Sequence, residues 1–253
     1  MTIPQDYLLL IAYTAALEED DYRPLAVARA IEQALPGMRL EWTISDEGHL
    51  IPLPQRDAWI AKAAAQGRFP MLCNGDENYL VTVSGSGIPA GLGPGGKPLC
   101  DIPAKLPLDA AIIAAAGDVL EGVAESARAF WGHVTPHGTA VEIARQTSHP
   151  VRKPRVPPRG LPALKFPEDI PSPEIPHRLG WLNYWSAATA QTLGFPDSSR
   201  DAELLIRSRR TATGGWVVQL TETPLNLGNT SHLEALQHAY ERFPEIGGRS
   251  PPT

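Results

Sequence analysis

Few residues in this chain have types and spacings that suggest chemistry. His133 and His137 stand four apart, the spacing of a metal pair on one helix turn. Thr135-Pro136 lies between them, and no HExxH glutamate accompanies them. A loop is expected there, and no metal site. Cys73 sits between a strand-like run and a turn, as a nucleophile would. A catalytic thiol also needs a histidine within hydrogen-bond reach, and nothing in the spacing singles out a partner among the seven histidines. Gly91-Leu92-Gly93-Pro94-Gly95-Gly96 matches GxGxxG. Lys97-Pro98 follows it in place of the helix N-terminus that would meet a pyrophosphate. No catalytic set, no metal and no cofactor are expected from these residues.

The carboxylates offer another kind of chemistry. Glu18-Glu19-Asp20-Asp21, Asp46-Glu47 and Asp76-Glu77 all fall in expected loops at strand ends. Gathered at one end of a sheet, they would form an acidic patch that suits a basic partner surface. Dispersed, they would be ordinary wet loops. Residues 1–132 carry 17 acidic and 9 basic side chains, while 133–253 carry 11 and 13. The first half therefore lacks the clustered Lys and Arg that phosphate contacts require, which argues against direct nucleic-acid binding.

These groups need a scaffold. The run 7–13 (YLLLIAY) reads as a buried strand. Val27, Ile31 and Leu35 mark a helix that Pro36-Gly37 stops. Residues 38–45 read as a strand, 57–66 as a short helix capped by Asp57, and 71–73 with 79–83 as a hairpin around Asn74-Gly75. The glycine- and proline-rich segment 84–107 is expected to be irregular. Residues 109–131 form the clearest helix, with Ile112, Ala116, Val119, Val123, Ala127 and Phe130 on one stripe. A short helix over 141–149 follows. Nine prolines within 150–176 predict an extended connector. Beyond it come a helix over 201–212, a strand over 216–220 and a helix opened by a Ser231/Glu234 capping box. Leu233, Leu236, Tyr240 and Phe243 form the core face of that last helix.

The expected architecture is α+β, a mixed or antiparallel sheet with helices packed on it. Its expected lobes are 1–149 and 177–253, joined by the connector 150–176 or merged in one continuous domain. Trp181, Tyr184 and Trp185 are either core or anchors of an interface. The two cysteines form no disulfide framework. The run 7–13 is too short to span a bilayer, and Asp6 precedes it where an export signal wants positive charge. A cytoplasmic location, away from the membrane, is expected.

Several segments resemble a bacterial family of unknown function: ALPGMRLEW (34–42), LPQRDAWIAKA (53–63), DVLEGVAESARAFWGH (118–133), IPHRLGWLNYWSAATAQTLGFPD (175–197) and YERFPEIGGR (240–249). The C-terminal half is similar to the immunity protein 52 family, whose members sit beside polymorphic toxins. The resemblance implies an antitoxin that binds its cognate toxin, a nuclease, and blocks its active or nucleic-acid-binding surface. It carries over no catalytic residues. The toxin-binding residues expected on this reading are Glu18, Glu19, Asp20, Asp21, Asp46, Glu47, Asp76, Glu77, Trp181, Tyr184 and Trp185. The alternative is an enzyme or small-molecule-binding protein with its site between the lobes.

Overall fold

A computed structural model describes residues 7–147 and 156–250. The chain forms an α+β fold around an 11-stranded antiparallel sheet. In chain order the elements are β1 (Tyr7–Ala15), α1 (Arg23–Ala34), β2 (Trp42–Ile44), β3 (Leu50–Pro52), α2 (Arg56–Ala64), β4 (Leu72–Cys73), β5 (Thr82–Val83), β6 (Ser86–Ile88), β7 (Leu99–Pro107), α3 (Ala110–Ala127), β8 (Trp131–Pro136), α4 (His137–Ala144), β9 (Leu182–Trp185), α5 (Ala187–Thr192), α6 (Ala202–Ile206), β10 (Arg209–Arg210), β11 (Trp216–Gln219) and α7 (Thr230–Arg242). The strands run β10-β11-β9-β8-β1-β7-β5-β4-β2-β3, with β6 beside β7. The chain on either side of the proline-rich connector feeds the same sheet, because β8 and β9 are hydrogen-bonded neighbours.

Alternation along the strands sets the two faces. Leu8, Leu10 and Ala12 of β1, with Ile102, Ala104 and Leu106 of β7, are fully buried. They meet the apolar stripe of α3, including Ala116, Val119 and Val123, and α1 packs beside α3. Asp109 starts α3 by accepting the N–H groups of Ala111 and Ile112 at 2.8 and 3.0 Å. Among the described residues the opposite face is covered in one half only. There Trp185 packs edge-on against Phe195 and Phe243, with ring centres 5.1 and 5.0 Å apart.

Several local expectations change. The segment 84–107 contains β6 and the nine-residue β7 at the centre of the sheet. Pro103 is tolerated because the neighbour of β7 on that side changes there. β6 pairs with Leu99–Asp101, β5 pairs with Ala104–Lys105, and Pro103 falls in the gap. Its carbonyl still accepts from the Ser84 N–H at 3.1 Å.

The long helix stops at Ala127, where Arg128 turns left-handed with φ 52°, and 131–136 is strand. His133 is therefore on β8 and shares no helix with His137. The next helix begins at His137 rather than 141, and residues 148–149 lie outside the described residues, as do 150–155 of the connector. The connector from 156 onward sends Leu161, Leu164, Ile170 and Ile175 into the core.

The run 201–212 divides into α6 and the edge strand β10. α2 begins at Arg56 with no side-chain cap, because Asp57 pairs with Arg29 and Arg56 instead. The final helix is capped by Asn229, whose Oδ1 accepts from the Ser231 N–H at 3.0 Å, in place of the expected Ser231/Glu234 box.

Candidate functional site

The uncovered part of the second face is a concavity of about 530 Å³. Register explains its floor. Tyr7 lies opposite Pro107, and Lys105 opposite Thr82. Thr82 lies opposite Cys73, which lies opposite Trp42. Facing partners share a side, and so do residues two apart. Tyr7, Pro103, Lys105, Pro107, Thr82, Ser84, Met71 and Ile44 therefore all project from the same face, and all line the cavity. The walls come from Gly48 in the β2–β3 turn, from Asn78, Tyr79 and Leu80 in the β4–β5 turn, and from Leu108 and Asp109 before α3. All of the lining falls between residues 7 and 109, within one half of the chain.

The walls are held firmly. Asn74 spans the β4–β5 turn: its Nδ2 donates to the Tyr79 carbonyl at 2.8 Å and its Oδ1 accepts from the Val81 N–H at 3.1 Å. Asp76 Oδ1 accepts from the N–H of Asn78 at 2.9 Å and of Tyr79 at 3.2 Å. The β2–β3 turn closes through Gly48 N–H to the Ser45 carbonyl at 2.9 Å, with Gly48 at φ 85°.

The polar groups inside are few. Burial and the adjoining Asp109 carboxylate push the Tyr79 hydroxyl up to about 12. Burial opposes ionisation of Asp109, but the Tyr79 hydroxyl and the N–H groups of Ile112 and Ala111 outweigh it and hold the carboxyl below its usual range. Lys105 Nζ stands 5.4 Å from the centre of the Tyr7 ring and has no anionic partner among the described residues.

The acidic residues divide. Asp46 and Glu47 precede the lining residue Gly48, and Asp76 and Glu77 precede the lining residue Asn78, so these four exposed acids stand on the turns that wall the concavity, outside its lining, and form its outer rim in that sense. Glu18, Glu19 and Asp20 are also exposed, but they follow the far end of β1 from Tyr7. That places them about 25 Å of strand away at ~3.3 Å per residue. The structure thus joins two of the three acidic loops and leaves the third apart. None of these seven residues has an ion-pair partner among the described residues.

Asp21 has a different role. It is clamped to Arg23, whose guanidinium also donates to Thr14 Oγ1 at 2.8 Å and to the carbonyls of Ala15 and Ala16 at 3.0 and 2.9 Å. Burial works against the Asp21 carboxylate, but the Arg23 hydrogen bonds and charge hold it below its usual range.

Trp181, Tyr184 and Trp185 are 2, 3 and 1 % exposed and cannot act as interface anchors. They face neighbours on both sides of β9. The Trp181 Nε1–H donates to the Thr221 carbonyl at 2.8 Å, and the Tyr184 hydroxyl donates to Glu125 at 2.9 Å. Both cysteines are buried free thiols, and burial raises Cys73 and pushes Cys100 up to about 11, so neither presents a thiolate. The 91–96 glycines lie in a loop whose Gly95 N–H donates to the Ile170 carbonyl at 2.8 Å. Among the described residues no group of three His, Cys, Asp or Glu is placed to hold a metal, and no helix is long and apolar enough to cross a membrane.

The whole arrangement lies within a recognised sequence family. A family model described as a domain of unknown function, DUF5953, matches residues 19–251. The chain belongs to the DUF5953 family. No curated protein matches it. Among solved structures, the fold is similar to that of the Pseudomonas aeruginosa T6SS protein PA0821, with a TM-score of 0.53 and 12 % identity, covering 94 % of this chain and 73 % of that one. The likeness is one of fold. Sequence reading missed Tyr7, Met71, Tyr79, Leu80, Lys105 and Asp109 as site residues. The even spacing of Asp101, Pro103, Lys105 and Pro107 was the available signal, masked by the prolines.

Proposed function

We propose that this DUF5953 member is an immunity protein that binds a cognate toxin, a nuclease, and covers its active or nucleic-acid-binding surface. The observation that carries the reading is the concavity itself: an apolar floor with four unpaired exposed acids on its rim. Interfaces combine an apolar core with a charged rim, and acids on the rim complement the Lys and Arg of a phosphate-binding surface. The shared fold with a T6SS protein agrees with a role in interbacterial competition. The cytoplasm is where such an inhibitor would meet an incoming nuclease.

The test is co-expression with the product of the neighbouring reading frame. A stoichiometric complex that survives size exclusion and silences a nuclease supports the proposal. A harmless partner that does not co-purify overturns it.

A small-molecule site is the competing reading, favoured by the cavity volume, which lies in the range that encloses drug-sized ligands. Catalysis there has little support. The titratable lining groups are Tyr7, Tyr79, Lys105 and Asp109, and Asp109 caps α3 through Oδ1.

A further inference from the structure

The charges of the concavity are arranged in two opposite layers. The rim is negative, through Asp46, Glu47, Asp76 and Glu77. The floor carries one ammonium, Lys105, on β7 between Pro103 and Pro107. Its only described partner is the Tyr7 ring. A half-buried ammonium over an apolar floor gains strongly from a carboxylate brought to it, because such hydrogen bonds strengthen away from water. Asp109 caps α3 through Oδ1, its Oδ2 has no hydrogen-bond partner, and it forms no ion pair with Lys105 among the described residues.

A small free carboxylate would meet the repulsion of the rim before reaching Lys105. A cationic guest would meet Lys105 itself. A chain end satisfies both layers: a terminal carboxylate on Lys105, an apolar last residue among Met71, Leu80 and Leu108, and basic residues upstream against the rim. The volume of about 530 Å³ has room for such a short segment.

We infer that the concavity captures the free C-terminus of the partner protein, ending in an apolar residue preceded by lysine or arginine. This rests on the docking reading above and specifies what enters.

The probe is a fluorescein-labelled peptide, Lys-Arg-Gly-Leu-Leu, prepared with a free C-terminus and as its amide, titrated against the full chain by polarisation. The free acid is expected to bind at least about tenfold tighter, the effect of one charge-assisted hydrogen bond. Lys105→Met should abolish that preference and Lys105→Arg should keep it, both with unchanged melting temperature. Equal binding of acid and amide, no binding of either, or a preference that survives in folded Lys105→Met overturns the inference. Where a toxin complex has been isolated, deletion of the toxin's last five residues separates the two proposals. Undiminished affinity sinks C-terminal capture while toxin binding stands, whereas failure to form any complex sinks the docking reading.

Discussion

The same face of the sheet is treated in two ways. Over β9 and β11 it is sealed by Phe195, Phe243 and α7, so that Trp185 keeps only 1 % of its surface. Over β5 and β7 no described residue covers it, and Tyr7, Met71 and Lys105 line the concavity. Charges follow the same division. On the sealed side Arg242 of α7 binds the buried Asp201 at 2.6 Å. On the open side the four rim acids and Lys105 have no ionic partner among the described residues. Internal pairing uses up a group's capacity to recognise anything else. The sealed part of this face adds to the core, and the open part presents unsatisfied surface.

The sharpest way to break this comparison is Trp185→Ala. Loss of a fully buried tryptophan should cost about 3–5 kcal/mol in denaturant unfolding, with affinity for the proposed toxin unchanged per folded molecule. A variant of native stability with lost binding would place the anchor on the wrong side.

Acid provides a second probe of the sealed region. Burial drives His133 and His177 down to about 3, with the Arg178 charge adding to the effect. The unfolded chain then takes up protons before the folded one. Stability should be full above about pH 6.5 and fall steadily toward pH 3, as urea midpoints would record. His133→Phe should flatten part of that slope.

Asp21→Asn tests the loop at the far end of β1. It removes a carboxylate that holds the Arg23 guanidinium, so thermal stability should drop by less than for Trp185→Ala while binding persists. A large fall in affinity without loss of stability would restore this loop to the interface.

The smallest expected effect on folding is also the most informative for function. Glu47→Lys with Glu77→Lys should leave the melting temperature unchanged and slow association with the proposed toxin, most at low salt. Glu18→Lys with Glu19→Lys should change neither. Equal effects from the two pairs would show that net charge matters and the concavity does not.

Much of the framework was legible. The apolar run at 7–13, the stripe of α3 and the Asn74-Gly75 hairpin all became the expected elements, because each depends on neighbours close in sequence. The errors cluster where a tertiary contact overrode a local rule. Pro103 and Pro107 argued against a strand, yet β7 is central, since its partner changes at Pro103. The run 201–212 read as one helix, yet Arg209 and Arg210 pair with β11. Trp185 was legible as either core or anchor, and only the positions of Phe195 and Phe243 decided for the core.

What the sequence by itself determined is the class of the protein: an α+β chain with an acidic first half, in a family its own segments identify. Where that acidity acts was decided by tertiary structure. Asp46 and Asp76 are thirty positions apart, and they flank one concavity because β2, β4, β5 and β7 pair in a particular register. Glu18 is nearer to Asp46 in sequence but is carried away by the length of β1. Strand register is a property of pairing between distant segments, so no local pattern encodes which loops share a rim or that Lys105 would stand alone beneath them.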